Sequence, residues 1–354
     1  TKSYTSGEIA SIIDGKGAFY VPDIQKDFSQ TSMYLLNKFT KDLLPLYLEM
    51  INGSVFSEDE LALYKRNMKQ RYIVEHGKVN VQSHQAFTNA IFGTDSAYAD
   101  LSSPKSYDAL DRESIIDFYK ARIERKATGV IVSGMVDDKT LADICSVFEH
   151  FKWEGNNFDD QLKIYGDSAS KDKWIEVPGN ENKQVSMRIG RPTVNPDHVD
   201  YMGLSLLTTV LGGYFGSRLN KVIREEKGLT YGIHAHINKL RFANFLSIHA
   251  ELNANNWKEA YDSVLEIFED LKNNPIPQQE LDMVRRYVKG SLLQSVDGAL
   301  SYSTYIRNSL VLDLNNARIN NYINYLDTAD PMVLMKLAKQ YLNEKDFFKI
   351  VAGV

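Results

Sequence analysis

The stretch LGGYFGSRLNKVIREEKGLTY, residues 211–231, carries more information than any other part of this 354-residue chain. Its Gly212–Gly213 pair is expected to make a tight turn with positive φ, a region glycine enters without steric cost. The amphipathic run from Ser217 to Ile223 predicts a helix, and Gly228 closes it before the strand-like YGIHAHI. Arg224 then falls in a last helical turn and Tyr231 opens a strand. From spacing alone both have ordinary structural readings. An arginine near a helix C-terminus complements the helix dipole, and a tyrosine beginning a strand is usually partly buried.

Working outward, the composition is that of a globular protein with room for two domains, at 43% hydrophobic and 25% charged residues. A net charge of -5 and an isoelectric point near 5.9 argue against nucleic acid or a membrane surface as a partner through bulk electrostatics. The cluster Lys65, Arg66, Lys69 and Arg71 is a local exception and reads as a solvated helix face. The single cysteine, Cys145 in ADICSVFEHF, has no partner for an internal disulfide and is expected to be a small core residue of an apolar helix. No apolar run reaches the length of a transmembrane span, and Thr1–Asp14 has neither the basic start nor the apolar core of a signal peptide.

Two segments match without gaps at an offset of 220 positions, YLEMINGSVFSEDEL at 47–61 and IFEDLKNNPIPQQEL at 267–281. Each is a helix end, a loop and a new helix, with Lys65–Arg66 answering Arg285–Arg286 further on. Both halves then reach a strand ending in small residues, VIVSGMV and KIVAGV. The pattern predicts a duplicated domain, with a chance match of two helix and loop segments as the alternative. Carried back from the second copy's first strand at Lys173, the same offset places the first copy's start on the order of 40 to 50 residues before Thr1. The first domain is therefore expected to lack its N-terminal part, and an export signal there would lie out of view, so localisation stays unassigned.

The fold expected is α+β, with two homologous domains, each a mostly antiparallel sheet with helices packed on one face. The first runs over 1–152, the linker over 153–172 and the second domain over 173–354. In the first, GAFYVPDI, SMYLLNKF and TGVIVSGMV read as strands, with helices near 40–52, 57–76, 80–92 and 111–123. In the second, KWIEVP, QVSMRIG, TYGIHAHINK and NFLSIHAELN are strands, followed by helices near 256–272, 277–295, 300–311 and 330–342.

The runs LGGYFGSRLNKVIREEKGLTYG, FSEDEL, NAIFGTDSAYADLSSPKSYDALDRESIIDFYKARI and VIVSGMVD resemble the inverzincin zinc metallopeptidases of the pitrilysin, insulysin and mitochondrial processing peptidase family. The likeness runs in order along nearly the whole chain. It implies paired α+β domains that close like a clamshell around an extended peptide. Catalytic members carry H-x-x-E-H on a helix of the first domain and a glutamate on a later helix, leaving the zinc an open position. The opening TKSYTSGEIASIIDGKGA resembles the stretch that directly follows that motif, and no H-x-x-E-H occurs in the 354 residues. Counting back from Phe92, the third ligand position falls on Arg71, whose guanidinium cannot bind zinc. No acidic residue lies between Glu60 and Glu75, and Glu75 would need a local helix shift to substitute. The alternative for Arg71 is a stem packed along Tyr64 and Met68 with its head in water.

The same resemblance gives Arg224 and Tyr231, seven residues apart, a substrate-binding role: in the family this pair reaches the substrate backbone near a zinc held in the other half or in a partner subunit. A guanidinium and a phenol are donors suited to a peptide carbonyl whose oxygen gains charge in the transition state. The reading that follows is a non-catalytic subunit, a pseudoenzyme with no catalytic residue and no metal of its own. Zinc is expected in a catalytic pitrilysin-family partner, as a heterodimer or within a homodimer, with peptide as substrate. Two alternatives stand beside it: a catalytic peptidase seen without its H-x-x-E-H helix, and a structural scaffold of the same fold. Pro22 in AFYVPDIQKD removes a donor from the edge strand that family members offer to peptide. His234 and His236 share one strand face at a spacing compatible with metal but have no third ligand nearby in sequence. The cluster Gly212, Gly213 and Gly216 fits neither the dinucleotide nor the P-loop pattern, and no G-x-S-x-G elbow is present.

Overall fold

The computed structural model describes every residue of the chain except 125, 128, 150, 154–161, 180–183 and 316. The elements run α1 (Ser6–Gly15), β1 (Phe19–Ile24), β2 (Ser29–Tyr34), α2 (Thr40–Asn52), α3 (Glu58–His76), α4 (Val79–Phe92), α5 (Pro104–Asp108), α6 (Arg112–Arg122), β3 (Lys126–Ala127), α7 (Asp138–Phe148) and β4 (Lys152–Trp153). They continue with β5 (Trp174–Val177), β6 (Gln184–Thr193), α8 (Tyr201–Thr208), β7 (Thr230–Lys239), β8 (Asn244–Asn253), α9 (Trp257–Asn273), α10 (Gln278–Ser295), α11 (Ala299–Leu312), α12 (Arg318–Thr328), α13 (Pro331–Tyr341) and β9 (Phe348–Ala352). The chain forms two compact units, neither continuous in sequence. One holds Thr1–Ile73, Ser102–Asp160 and Gly298–Arg307; the other holds Val74–Leu101, Gln161–Asp297 and Asn308–Val354.

In the first unit Thr5 caps α1 in a capping box with Glu8, satisfying end donors that the helix itself cannot pair. α1, the β1–β2 hairpin and α2 bury a small core of Ile13, Ala18, Leu43 and Leu46. Pro22 sits within β1 opposite Thr31, where a hairpin strand with one open edge tolerates the lost donor. The basic cluster of α3 does more than face water. Lys65 donates to the Asp108 and Leu110 carbonyls at 3.0 and 2.6 Å, and Lys69 pairs with Asp108 at 2.7 Å, fixing the end of α5 to α3.

Three expectations for this unit are corrected. TGVIVSGMV is not a strand over its described residues 129–136, Thr128 lying outside them; no neighbouring strand pairs with it there, and Val130, Ile131 and Val132 remain exposed. A β-rich sequence without a ladder partner has nothing to hold it extended. SMYLLNKF is strand only as far as Tyr34, and Asn37–Phe39 turn into a single 3-10 turn before α2. Cys145 is exposed, because α7 buries Phe148 and leaves its cysteine face to solvent. Of the expected linker 153–172, residues 154–161 lie outside the described residues.

The second unit is built on a five-stranded sheet in the order β5-β9-β6-β8-β7, antiparallel except where β5 runs parallel to β9. Strand alternation sends Met187, Ile189, Ile233, Ala235, Leu246 and Ile248 to one face. There they meet α8 (Leu204, Leu207), α9 (Val264, Phe268) and α13 (Leu334, Ala338), each presenting an apolar stripe at helical spacing. Onto the opposite face α4 lays Phe87 and Ile91 against Phe245, Phe348 and Ile350, so helices cover part of this face too. The helix–loop–helix segments matched at an offset of 220 are both present: α3 begins at Glu58 and α10 at Gln278. α+β architecture therefore holds as expected, and no helix of the described residues is long and apolar enough to cross a membrane.

Candidate functional site

The residues from α8 to β7 hold Arg224 and Tyr231 in place. α8 passes into π-helical turns over Thr209–Gly213, and a second π-helix, Asn220–Glu226, occupies the position where an α-helix over 217–223 is expected. Lys227 N–H donates to the Val222 carbonyl at 3.0 Å, a five-residue step, and Leu229 N–H to Ile223 O at 2.9 Å. Gly228, at φ +64°, reverses the chain as its sequence position predicts.

Gly212 and Gly213 do not have positive φ, which corrects the turn expected there. At Gly212 the requirement is room. A Cβ on it would lie 2.7 Å from both the backbone nitrogen and the Cβ of Ala235, and 2.8 Å from Leu219 Cδ1. The π-turn backbone thus presses directly on β7, tying the approach to Arg224 to the strand that carries Tyr231.

Asn220 completes the connection and was not singled out by the sequence pattern. It is 2% exposed; its amide donates to the Ile233, Tyr214 and Ser217 groups at 2.9, 3.2 and 3.2 Å, and its oxygen accepts from Ile233 N–H at 3.4 Å. A polar residue between Leu219 and Val222 on an apolar face was the available signal. Arg218 fastens the same segment outward, with Nε and Nη2 on the two carboxylate oxygens of Glu280 at 2.9 and 2.8 Å and Nη1 on Asp270. This bidentate geometry is the strong form of the pair. Asn220→Ala is expected to lower unfolding stability by about 2 to 3 kcal/mol, since it leaves buried backbone groups unpaired; urea denaturation that places the loss below half that range would remove Asn220 from this role.

Arg224 lies with its guanidinium carbon 4.1 Å from the centroid of the Phe215 ring, which is itself 67% exposed. One terminal nitrogen, Nη1, is buried without a hydrogen-bond partner among the described residues. Tyr231 is 99% exposed. The β7–β8 register shifts between Thr230 and Ile233, and there Thr230 Oγ1 donates to Glu251 O at 2.7 Å and accepts from Gly232 N–H at 3.2 Å. A bulge of this kind re-aims one side chain out of the strand alternation, and here it turns Tyr231 wholly to solvent. The sequence suggested a partly buried ring at this place; the bulge, set by Thr230 and Gly232, is what overrides that.

Arg71 is exposed on α3, and Glu75, the potential substitute ligand, pairs with Lys78 at 2.8 Å. Among the described residues no group of three or more His, Cys, Asp or Glu is placed to hold a metal ion. The donors present around Arg71 do not fit zinc, so no step is assigned to a metal on this chain. His234 and His236 do share a face, as alternation requires, and there they join His249 rather than a carboxylate.

Comparison with known proteins bears on this geometry. The family described as the peptidase M16 inactive domain matches residues 109–288. The uncharacterized zinc protease YmxG of Bacillus subtilis is 22% identical over 347 residues, covering 97% of this chain and 83% of the relative. A Helicobacter pylori protein described as the non-peptidase homolog YmxG is 22% identical over 361 residues, covering 99% of this chain and 78% of its own length. The crystal structure of a peptidase M16 inactive domain from Pseudomonas fluorescens has the same fold, with a TM-score of 0.82 at 21% identity over 99% of this chain and 85% of that one. With a matched span that contains both Arg224 and Tyr231, the chain belongs to the peptidase M16 inactive domain family.

Proposed function

We propose that the chain is a non-catalytic subunit of a zinc-dependent endopeptidase of the pitrilysin family, which presents Arg224 and Tyr231 to an extended peptide while a partner holds the metal. The observation that carries this reading is the pair itself: a phenol held 99% exposed on a bulge, and a guanidinium stacked on Phe215 with a buried donor left unbonded. Both groups donate hydrogen bonds; Tyr231 sits on β7, and Arg224 on a π-helix that Asn220 ties to the same strand. A peptide carbonyl that develops negative charge on oxygen would be stabilised by donors already oriented, with little reorganisation. Arg71 supports placing the metal on the partner.

The test is a peptidase assay on the chain alone and mixed with a homologue that carries H-x-x-E-H, together with zinc analysis of each. Activity in the mixture above that of the homologue by itself is the expected result. Stoichiometric zinc and turnover in the isolated chain would overturn the reading.

A further inference from the structure

A second polar cluster lies in the same unit, on the sheet face that α4 only partly covers. Across β6, β8 and β7 the register sets Arg188 opposite His249 and His249 opposite His234, a single cross-strand row of three basic side chains. His236 stands next on β7, its ring 5.5 Å from that of His249, and α4 contributes His84 to the same surroundings. Four of the chain's seven histidines therefore gather around one arginine.

Arg188 carries the one permanent charge of the row, and a charge held largely out of water needs a counter-charge or a hydrogen-bond acceptor. None is present among the described residues. Arg188 makes no ion pair; its Nε is buried without a hydrogen-bond partner, and its guanidinium carbon lies 5.9 Å from the centroid of the Phe87 ring. Nδ1 of His249 is likewise buried and unbonded. Glu251, the next residue on this face of β8, is exposed and forms no ion pair with Arg188. Ser247, at the level of His236, accepts from Asn238 at 2.8 Å. His234 and His236 are exposed, which leaves the row open to solvent at its β7 end.

We propose that this row is a binding site for a carboxylate, held by the guanidinium of Arg188 and hydrogen-bonded by His249 and His236. One permanent charge at the buried end matches a monoanion: the planar guanidinium fork takes the two oxygens of a carboxylate, whereas a doubly charged phosphate would leave one charge uncompensated. The electrostatics agree with the geometry. Burial first, and then the Arg188 charge, push the His249 imidazole down to about 4; partial burial and the same charge lower His236, which keeps part of its ring exposed. A bound anion would reverse the second cause, so binding should draw protons onto these rings and tighten as pH falls from about 6.5 to about 5, below which the carboxylate ligand itself becomes protonated. Without the anion, the depressed His249 makes the folded state bind fewer protons than the unfolded chain. Stability present above about pH 6.5 is then lost as pH falls towards 4. This site does not depend on the role proposed for Arg224 and Tyr231.

The experiment is an NMR titration of the imidazole resonances of the full chain in sodium acetate against sodium chloride at equal ionic strength. Acetate is expected to raise the His249 midpoint by about one pH unit or more, and Arg188→Met to weaken acetate binding about ten-fold or more. No shift beyond that in chloride overturns the proposal, and so does a folded Arg188→Met variant that binds acetate as before. Should that variant not fold, the wild-type titration decides alone. Short peptides with free and amidated C-termini separate the sources: a free-acid peptide that displaces acetate, when its amide does not, identifies a peptide terminus, and displacement by neither identifies a small organic acid.

Discussion

Arg224→Ala is expected to lower peptide cleavage by the reconstituted pair about 100-fold, the effect of deleting one preorganised donor to a developing oxyanion, while leaving the thermal unfolding midpoint nearly unchanged. The two effects separate because of what Arg224 touches. Within its own unit its head makes an exposed stack on Phe215, worth about 0.5 to 1 kcal/mol, and its buried Nη1 has no partner to lose. Removing an unsatisfied donor offsets part of the lost stack. Tyr231→Phe should follow the same pattern, because a hydroxyl on a fully exposed ring contributes nothing to packing. Arg224→Lys retains charge without the planar fork and should recover only part of the activity. Unchanged turnover in both Arg224→Ala and Tyr231→Phe would refute the substrate role, and a large fall in unfolding midpoint would show that Arg224 acts through the fold instead.

Gly212→Val is expected to destabilise the second unit by about 3 kcal/mol, the upper end of overpacking costs. The Cβ would meet backbone and side chain of Ala235 at 2.7 Å, and β7 is held in register by β8, so neither neighbour can retreat cheaply. Relief of glycine's helical entropy works in the opposite direction by at most about 1 kcal/mol. Gly213→Ala provides the milder comparison, since the nearest atoms to its Cβ would be those of the Thr209 side chain, at 3.2 Å, rather than the backbone of a paired strand. Guanidinium unfolding of the two variants distinguishes them. Equal midpoints would mean that the contact between the π-turn and β7 is not a constraint, and with it would go the account of how Arg224 and Tyr231 are kept in relation.

The sheet of the second unit was legible because its strands are bordered by turn residues and alternate cleanly. TYGIHAHINK and NFLSIHAELN became β7 and β8 over the same residues. Other features depended on information that local pattern does not hold. The segment 129–136 has the composition of a strand, but pairing belongs to the neighbour as much as to the segment. The helix RINNYINYLDT carries three asparagines, which disfavour helix, although Ile319, Tyr322, Ile323 and Leu326 keep helical spacing. The π-helix and the bulge each insert one residue into a regular pattern, and both flank the candidate site. Arg224 and Tyr231 were visible by resemblance; Phe215, Asn220 and Thr230, which hold them, act through tertiary contacts. The row Arg188, His249 and His234 spans 62 residues of sequence and appears only once three strands are aligned.

The position of β9 has a consequence for how this unit is made. Phe348–Ala352 lies between β5 and β6, and β5 has no other strand partner among the described residues. On a ribosome, the hairpin of β7 and β8 and its pairing with β6 can form while later helices are still being synthesised, but β5 must wait for residues 175 positions further on, Trp174 pairing with Lys349. Until then its edge and that of β6 stay open to pairing with other chains. A nascent chain that stops short of Phe348 would hold β5 and β6 with unsealed edges, the form most exposed to aggregation or to capture by a chaperone.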